Sequence, residues 1–199
     1  MTARRCALLA LHYQNDVVHQ DGRIRLGFAA GDAGREAVLS TAERLLAGAR
    51  TQGVPVVHVR IAFRPDHADV VQNGPIWENV VRLGAVAEGS WGAAFHDRLR
   101  PRADEIVVRH SRINAFFGAP LEEALRLFDA ADLVIAGVAT NSVVEHTARH
   151  AADMGFRVTV AADACAASRA DLHRAALDNI ALIGRVAVAD DIVAAWRAA

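Results

Sequence analysis

Ala136-Gly137-Val138-Ala139-Thr140-Asn141-Ser142-Val143-Val144-Glu145-His146-Thr147-Ala148-Arg149-His150-Ala151-Ala152-Asp153 is the stretch whose reading decides the fold. The apolar run Leu133-Val134-Ile135-Ala136 before it reads as a buried strand, which Gly137 ends. Thr140 or Asn141 is placed to cap a helix, and Val144, Ala148 and Ala151 recur at helical spacing. Gly155 stands where a helix C-terminus favours glycine. A strand running through a tight turn into a helix N-terminus aims free backbone N–H groups at one point, where a developing oxyanion can be held. An ordinary strand–helix crossover has the same local pattern.

The same alternation extends along the chain. Cys6–Leu11, Pro55–Val59, Glu105–Arg109, Arg157–Ala162 and Arg185–Ala189 read as further strands. Helical patterns cover Arg35–Arg50, Leu121–Phe128, a segment opened by a capping-box-like Ser168/Asp171 pair, and a short final helix capped by Asp190. Strands alternating with helices imply an α/β fold, a mainly parallel six-strand sheet with helices on both faces. Ile61–Gly89 has weak periodicity and reads as a long loop carrying Phe63 and Trp77, aromatics able to wall a pocket or to pack the loop onto its own body.

A chain of 199 residues suits one domain spanning 1–199, and no apolar run reaches the length of a membrane span. The net charge of -1, with both signs interspersed, argues against nucleic-acid and anionic-membrane partners. Cys6 and Cys165 lie far apart and form no metal-ligand spacing. These features, with an N-terminus unlike a signal peptide, point to a reduced, cytoplasmic protein.

Gly137-Val138-Ala139-Thr140-Asn141 with Val144-Glu145 and Thr147-Ala148, and Ala7–Asp16 with its Gln14-Asn15-Asp16 run, resemble motifs of the isochorismatase-like (cysteine hydrolase) superfamily. So does the segment Arg109-His110-Ser111-Arg112-Ile113-Asn114-Ala115-Phe116. The resemblance covers nearly the whole chain. It implies a three-layer Rossmann-like fold, a homo-oligomer, no cofactor and a cis peptide at Val138–Ala139. It also implies an Asp–Lys–Cys triad, whose three places fall on His12, Arg109 and Val143. His58, Asp66 and His67 do not reproduce the Asp/His metal cluster of the nicotinamidase branch, so no metal is expected.

Valine is no nucleophile, which rules out a thioester. Ser142 is adjacent, but neighbouring residues of an α-helix point roughly 100° apart, so it is expected to face away from the cysteine's place. His12 can move a proton near neutral pH, as general base or acid. Arg109 can hold a carboxylate or phosphate through paired hydrogen bonds. Gln14, Asn15, Phe63, Trp77, Phe116, Val138 and Ala139 complete the expected ligand contacts. Two readings stay open: a hydrolase of a small, anionic molecule working without a covalent intermediate, and a catalytically inert relative that binds a small molecule or a protein.

Overall fold

A computed structural model describes residues 5–29 and 31–198. Six strands form one sheet: β1 (Cys6–Leu11), β2 (Val56–Ile61), β3 (Ile106–His110), β4 (Asp132–Gly137), β5 (Arg157–Ala161) and β6 (Arg185–Ala187). Every pairing is parallel, and the order is β3-β2-β1-β4-β5-β6. β1 and β4 are buried along their whole length, which explains the unbroken apolar runs Cys6–Leu11 and Leu133–Ala136. The edge strand β3 alternates instead, with Val108 and His110 buried and Val107 and Arg109 exposed.

The helices are α1 (Asn15–Val18), α2 (Arg35–Thr51), α3 (Pro75–Leu83), α4 (Leu121–Arg126), α5 (Glu145–Asp153), α6 (Ala170–Ala181) and α7 (Ala189–Arg197). One apolar core lies under α2 and α7, and a second, holding Leu9, Val143, Ala148 and Ile180, lies on the opposite face of the sheet. A smaller cluster joins Phe63, Trp77 and Val80 to Ile61 and Val86.

The structure corrects several local expectations. Ile61–Gly89 is not all loop, because α3 occupies Pro75–Leu83. Proline at its first position and left-handed Gly84 just past its end are ordinary helix punctuation, overlooked in a stretch read as breaker-rich. Residues Thr140–Val144 form a π turn ahead of α5, and the Thr140 hydroxyl hydrogen-bonds His173 Nδ1 at 2.8 Å, not its own helix end. Neither Ser168 nor Asp190 caps its helix. α6 has no side-chain cap, and the Ala189 amide of α7 donates to Asp163 Oδ1 at 2.8 Å, a long-range partner no local pattern reveals.

Strand order reverses direction between β1 and its neighbours: the chain runs outward through β2 and β3, then returns to place β4 against β1. Beyond the carboxyl ends of such a pair lies the crevice where open α/β sheets bind ligands. Gly137 sits at that point with φ 153°, and a Cβ there would lie 2.3 Å from the Leu11 carbonyl oxygen. Gly137→Ala is therefore expected to cost at least about 2 kcal/mol of stability. Urea unfolding of the two proteins checks this, and equal midpoints would show that the β1–β4 approach can relax.

Candidate active site

His12 is the first residue past β1. It lies in the left-handed region (φ 56°), and its amide is held by the Val59 carbonyl at 2.9 Å. This conformation is uncommon outside glycine and turns the chain off the strand axis. The next residues are fastened to their surroundings. Tyr13 donates to Ala164 O, and Gln14 bridges Ile61 N, Ile61 O and Ala93 O at 2.8–2.9 Å. Asn15 donates to Trp91 O, and Asp16 accepts from the Val86 and Arg23 amides. The Gln-Asn-Asp run thus locks the end of β1 to its surroundings, and both ends of the Gln14 side-chain amide are consumed in doing so.

A cavity of about 420 Å³ opens beyond the strand ends. Its wall takes His12 from β1, Val138, Ala139 and Ser142 from the turn after β4, Trp77, Asn79 and Val80 from α3, and Arg112 and Ile113 from the segment after β3. The Val138–Ala139 peptide within it is cis. Most of the wall is apolar, including Val17, Ile24 and Ile61.

His110, which sequence reasoning passed over, ends β3 on the buried side. Its Nε2 meets Nε2 of His12 within hydrogen-bonding distance, the two ring centroids being 4.8 Å apart. His110 Nδ1 faces the Asn114 carbonyl at 3.3 Å. The alternation of β3 was the available signal: with Val108 turned inward, His110 is turned inward too and Arg109 is not. Burial, and then the neighbouring His110, hold the His12 pKa well below its ordinary value. Burial likewise depresses His110 to about 4, with the Asn114 carbonyl opposing that shift. Both rings are neutral near pH 7.

Arg109 stands apart from the cavity. Its guanidinium donates to Ala62 O at 3.0 Å and pairs with Asp69 at 3.1 Å on the outer side of β3. Arg112 is the cation on the cavity wall. It lies over the Trp77 ring, 4.1 Å from its centroid, and bonds two neutral acceptors, Val71 O and Asn73 Oδ1. Among the described residues no carboxylate pairs with it. Ser142 also borders the cavity, against the α-helical expectation, because the residues around it form a π turn whose Ala139 carbonyl accepts from both Ser142 and Val144. Val143 is buried in the core under α5, Phe63 packs behind Trp77, and Phe116 lies against His150 and Phe156, all three off the cavity wall. Trp77, Val138 and Ala139 line it.

Residues 6–191 match the family model described as the isochorismatase domain. The chain belongs to the isochorismatase family of hydrolases. It is 32% identical over 187 residues to the ureidoacrylate amidohydrolase RutB of Methylobacterium radiotolerans, covering 87% of this chain and 72% of that one. It is 32% identical over 145 residues to the maleamate amidohydrolase of Pseudomonas putida, covering 72% and 67% of the two chains. An isochorismatase family protein from Burkholderia thailandensis superposes with a TM-score of 0.82 at 28% identity, covering 98% of this chain and 96% of that one. A cysteine hydrolase from Pseudomonas syringae pv. phaseolicola shares the fold with a TM-score of 0.89 at 21% identity, over 100% and 95% of the two chains.

The neutral histidine pair has a consequence for stability. An unfolded histidine titrates near 6.5, so below that pH the unfolded chain binds protons that folded His110 refuses until about 4. Stability is therefore full above about pH 7 and is lost as pH falls through this window. His110 alone accounts for roughly 2–3 kcal/mol between pH 7.5 and 4.5. Urea titrations at the two pH values test this, and His110→Leu should flatten the dependence. An unchanged slope in that variant would mean that other groups carry it.

Proposed function

We propose that the protein hydrolyses an amide or ureido bond in a small carboxylic acid, with no covalent enzyme intermediate. The carrying observation is the shared cavity: a neutral imidazole, a turn with a backbone amide and one cation that has no carboxylate partner among the described residues border the same space. The names of the relatives, amidohydrolases of ureidoacrylate and maleamate, support that substrate class. On this reading the family's acid, lysine and cysteine places hold His12, His110 and Val143, with His110 in the role first expected of Arg109.

His12 takes a proton from a water molecule as the water oxygen adds to the substrate carbonyl. The Ala139 amide donates to the resulting oxyanion. The imidazolium then returns the proton to the leaving nitrogen as the C–N bond breaks, releasing an acid and an amine. Arg112 holds the substrate carboxylate; its planar guanidinium is pinned by Trp77 and by neutral acceptors that leave its charge uncompensated. The apolar wall receives the carbon skeleton and keeps bulk water out. Val143 supplies no attacking atom, and Ser142 serves as a wall of the cavity.

A panel of short dicarboxylic monoamides and ureido acids, with ammonia release as readout, tests this. His12→Ala is expected to lower kcat by about 10²–10⁴. Arg112→Ala should raise KM for the acids by about 10–100-fold, the worth of one charge-assisted hydrogen bond, while Arg109→Ala changes neither constant. Ser142→Ala should retain turnover within tenfold. An acyl adduct on Ser142 in the intact-mass spectrum would overturn the noncovalent route. Saturable binding of the acids without turnover of any of them would leave the molecule a binding protein.

A further inference from the structure

We infer that His110 is a positioning residue: it holds His12 in the tautomer protonated at Nε2 and so leaves the Nδ1 lone pair as the base that meets water in the cavity. This rests on the reading of His12 as the general base and names the nitrogen that acts and the group that selects it.

A carbonyl oxygen only accepts, so the contact of His110 Nδ1 with Asn114 O at 3.3 Å requires a proton on that nitrogen. A neutral imidazole carries one N–H, so His110 Nε2 is then a bare lone pair. It faces Nε2 of His12. Two lone pairs repel, and so do two N–H groups, so the contact needs one proton, and His12 must supply it. His12 Nδ1 is then unprotonated. It has no partner among the described residues and is not one of the polar atoms sealed from solvent without a partner, while His12 itself borders the cavity.

The surroundings hold the chain of contacts in place. His110 ends β3 opposite Ile61 in register, and Ile61 is in turn gripped by Gln14 through both backbone groups. Asn114 is fixed by its own side chain, which accepts from the Phe116 amide at 2.9 Å, and the next amide, Ala115, donates to Thr147 on α5 at 3.2 Å. Among the described residues neither ring hydrogen-bonds or ion-pairs with a charged side chain that could reverse the proton order. The arrangement replaces the usual carboxylate partner of a catalytic histidine by a second, tautomer-fixed imidazole.

Two-bond ¹H–¹⁵N correlation spectra of the unliganded, ¹⁵N-labelled protein at pH 7.5 read the tautomers directly and need no substrate. The expected pattern is His110 protonated at Nδ1 and His12 protonated at Nε2. His110→Leu, which removes the acceptor, should convert His12 to a mixture of tautomers. His110→Gln, whose side-chain carbonyl can accept in the same direction, should restore the single form. His12 found protonated at Nδ1 in the wild-type protein overturns the inference, and so does an unchanged His12 spectrum in His110→Leu. If His110→Leu does not fold, the wild-type spectrum decides alone. Failure of the hydrolysis panel with the expected spectrum would reject the catalytic reading and leave the tautomer lock standing. The opposite pair of results would reject the lock and leave hydrolysis standing.

Discussion

The close approach of Gly137 to Leu11 is the constraint on which the site depends. β1 and β4 are paired in register over their full length, from Cys6 opposite Asp132 to Leu11 opposite Gly137. With no side chain at Gly137, the two strands end side by side with their backbones almost touching. The residue after each strand therefore enters the same space: His12 on one side, Val138 on the other. Because this pair is also where the strand order turns back, no crossover covers that end of the sheet. α3 and the segment after β3 close the sides instead, bringing Trp77 and Arg112.

Electrostatics sharpens the division of labour among these side chains. A buried imidazole without an anionic neighbour gives up its charge before it gives up its burial, and the pair at the end of β1 and β3 does so. A guanidinium cannot follow that route, since it does not deprotonate in proteins. Arg109 and Arg112, three residues apart, meet this constraint in two ways. Arg109 swings to the outer side of β3 and finds Asp69. Arg112 stays half-buried on the cavity wall, where an aromatic face and two neutral oxygens stabilise it without neutralising it. One cation is thus spent on the fold, and the other keeps its charge on the cavity wall.

The fold was legible because its signals are long and redundant. Six apolar runs spaced by amphipathic segments admit few arrangements besides a parallel sheet, and small errors at strand ends do not change that outcome. The candidate site was legible where it follows from a strand end and, at Trp77, where an aromatic side chain marks a pocket wall. His12, Val138 and Ala139 were placed from their motifs, and all three line the cavity. His110 was missed by a shift of one residue: taking β3 to end at Arg109 hid the alternation that turns every second side chain inward, and a one-residue slip exchanges the two faces of a strand. Gln14 and Asn15 look like ligand contacts because they are polar and sit beside the site, yet the Gln14 amide is taken up at both ends by the Ile61 and Ala93 backbone, and the Asn15 amide nitrogen donates to Trp91 O. Such partners lie tens of residues away, so no local pattern contains them. α3 was lost because prolines and glycines that punctuate a helix were read as breaking one.

The π turn after β4 shows how one segment serves both packing and chemistry. Its extra backbone width lets Ser142 border the cavity while Val143, one residue on, is 1% exposed and packed with Val144 and Ala148 against the sheet. A side chain so placed contributes by excluding water and filling volume, and burial would raise the pKa of any thiol put there, as it raises that of Cys165 to about 12 on the same side of the sheet. On the reading proposed above, reactivity has moved from that turn to the end of β1. There a proton acceptor needs only an open nitrogen and a partner that keeps it open, and a strand end fixed by Gln14 provides the necessary rigidity. The same turn then keeps the part that does not depend on a nucleophile, a backbone amide aimed at the reacting carbonyl, which requires the geometry of the loop and not the identity of residue 143.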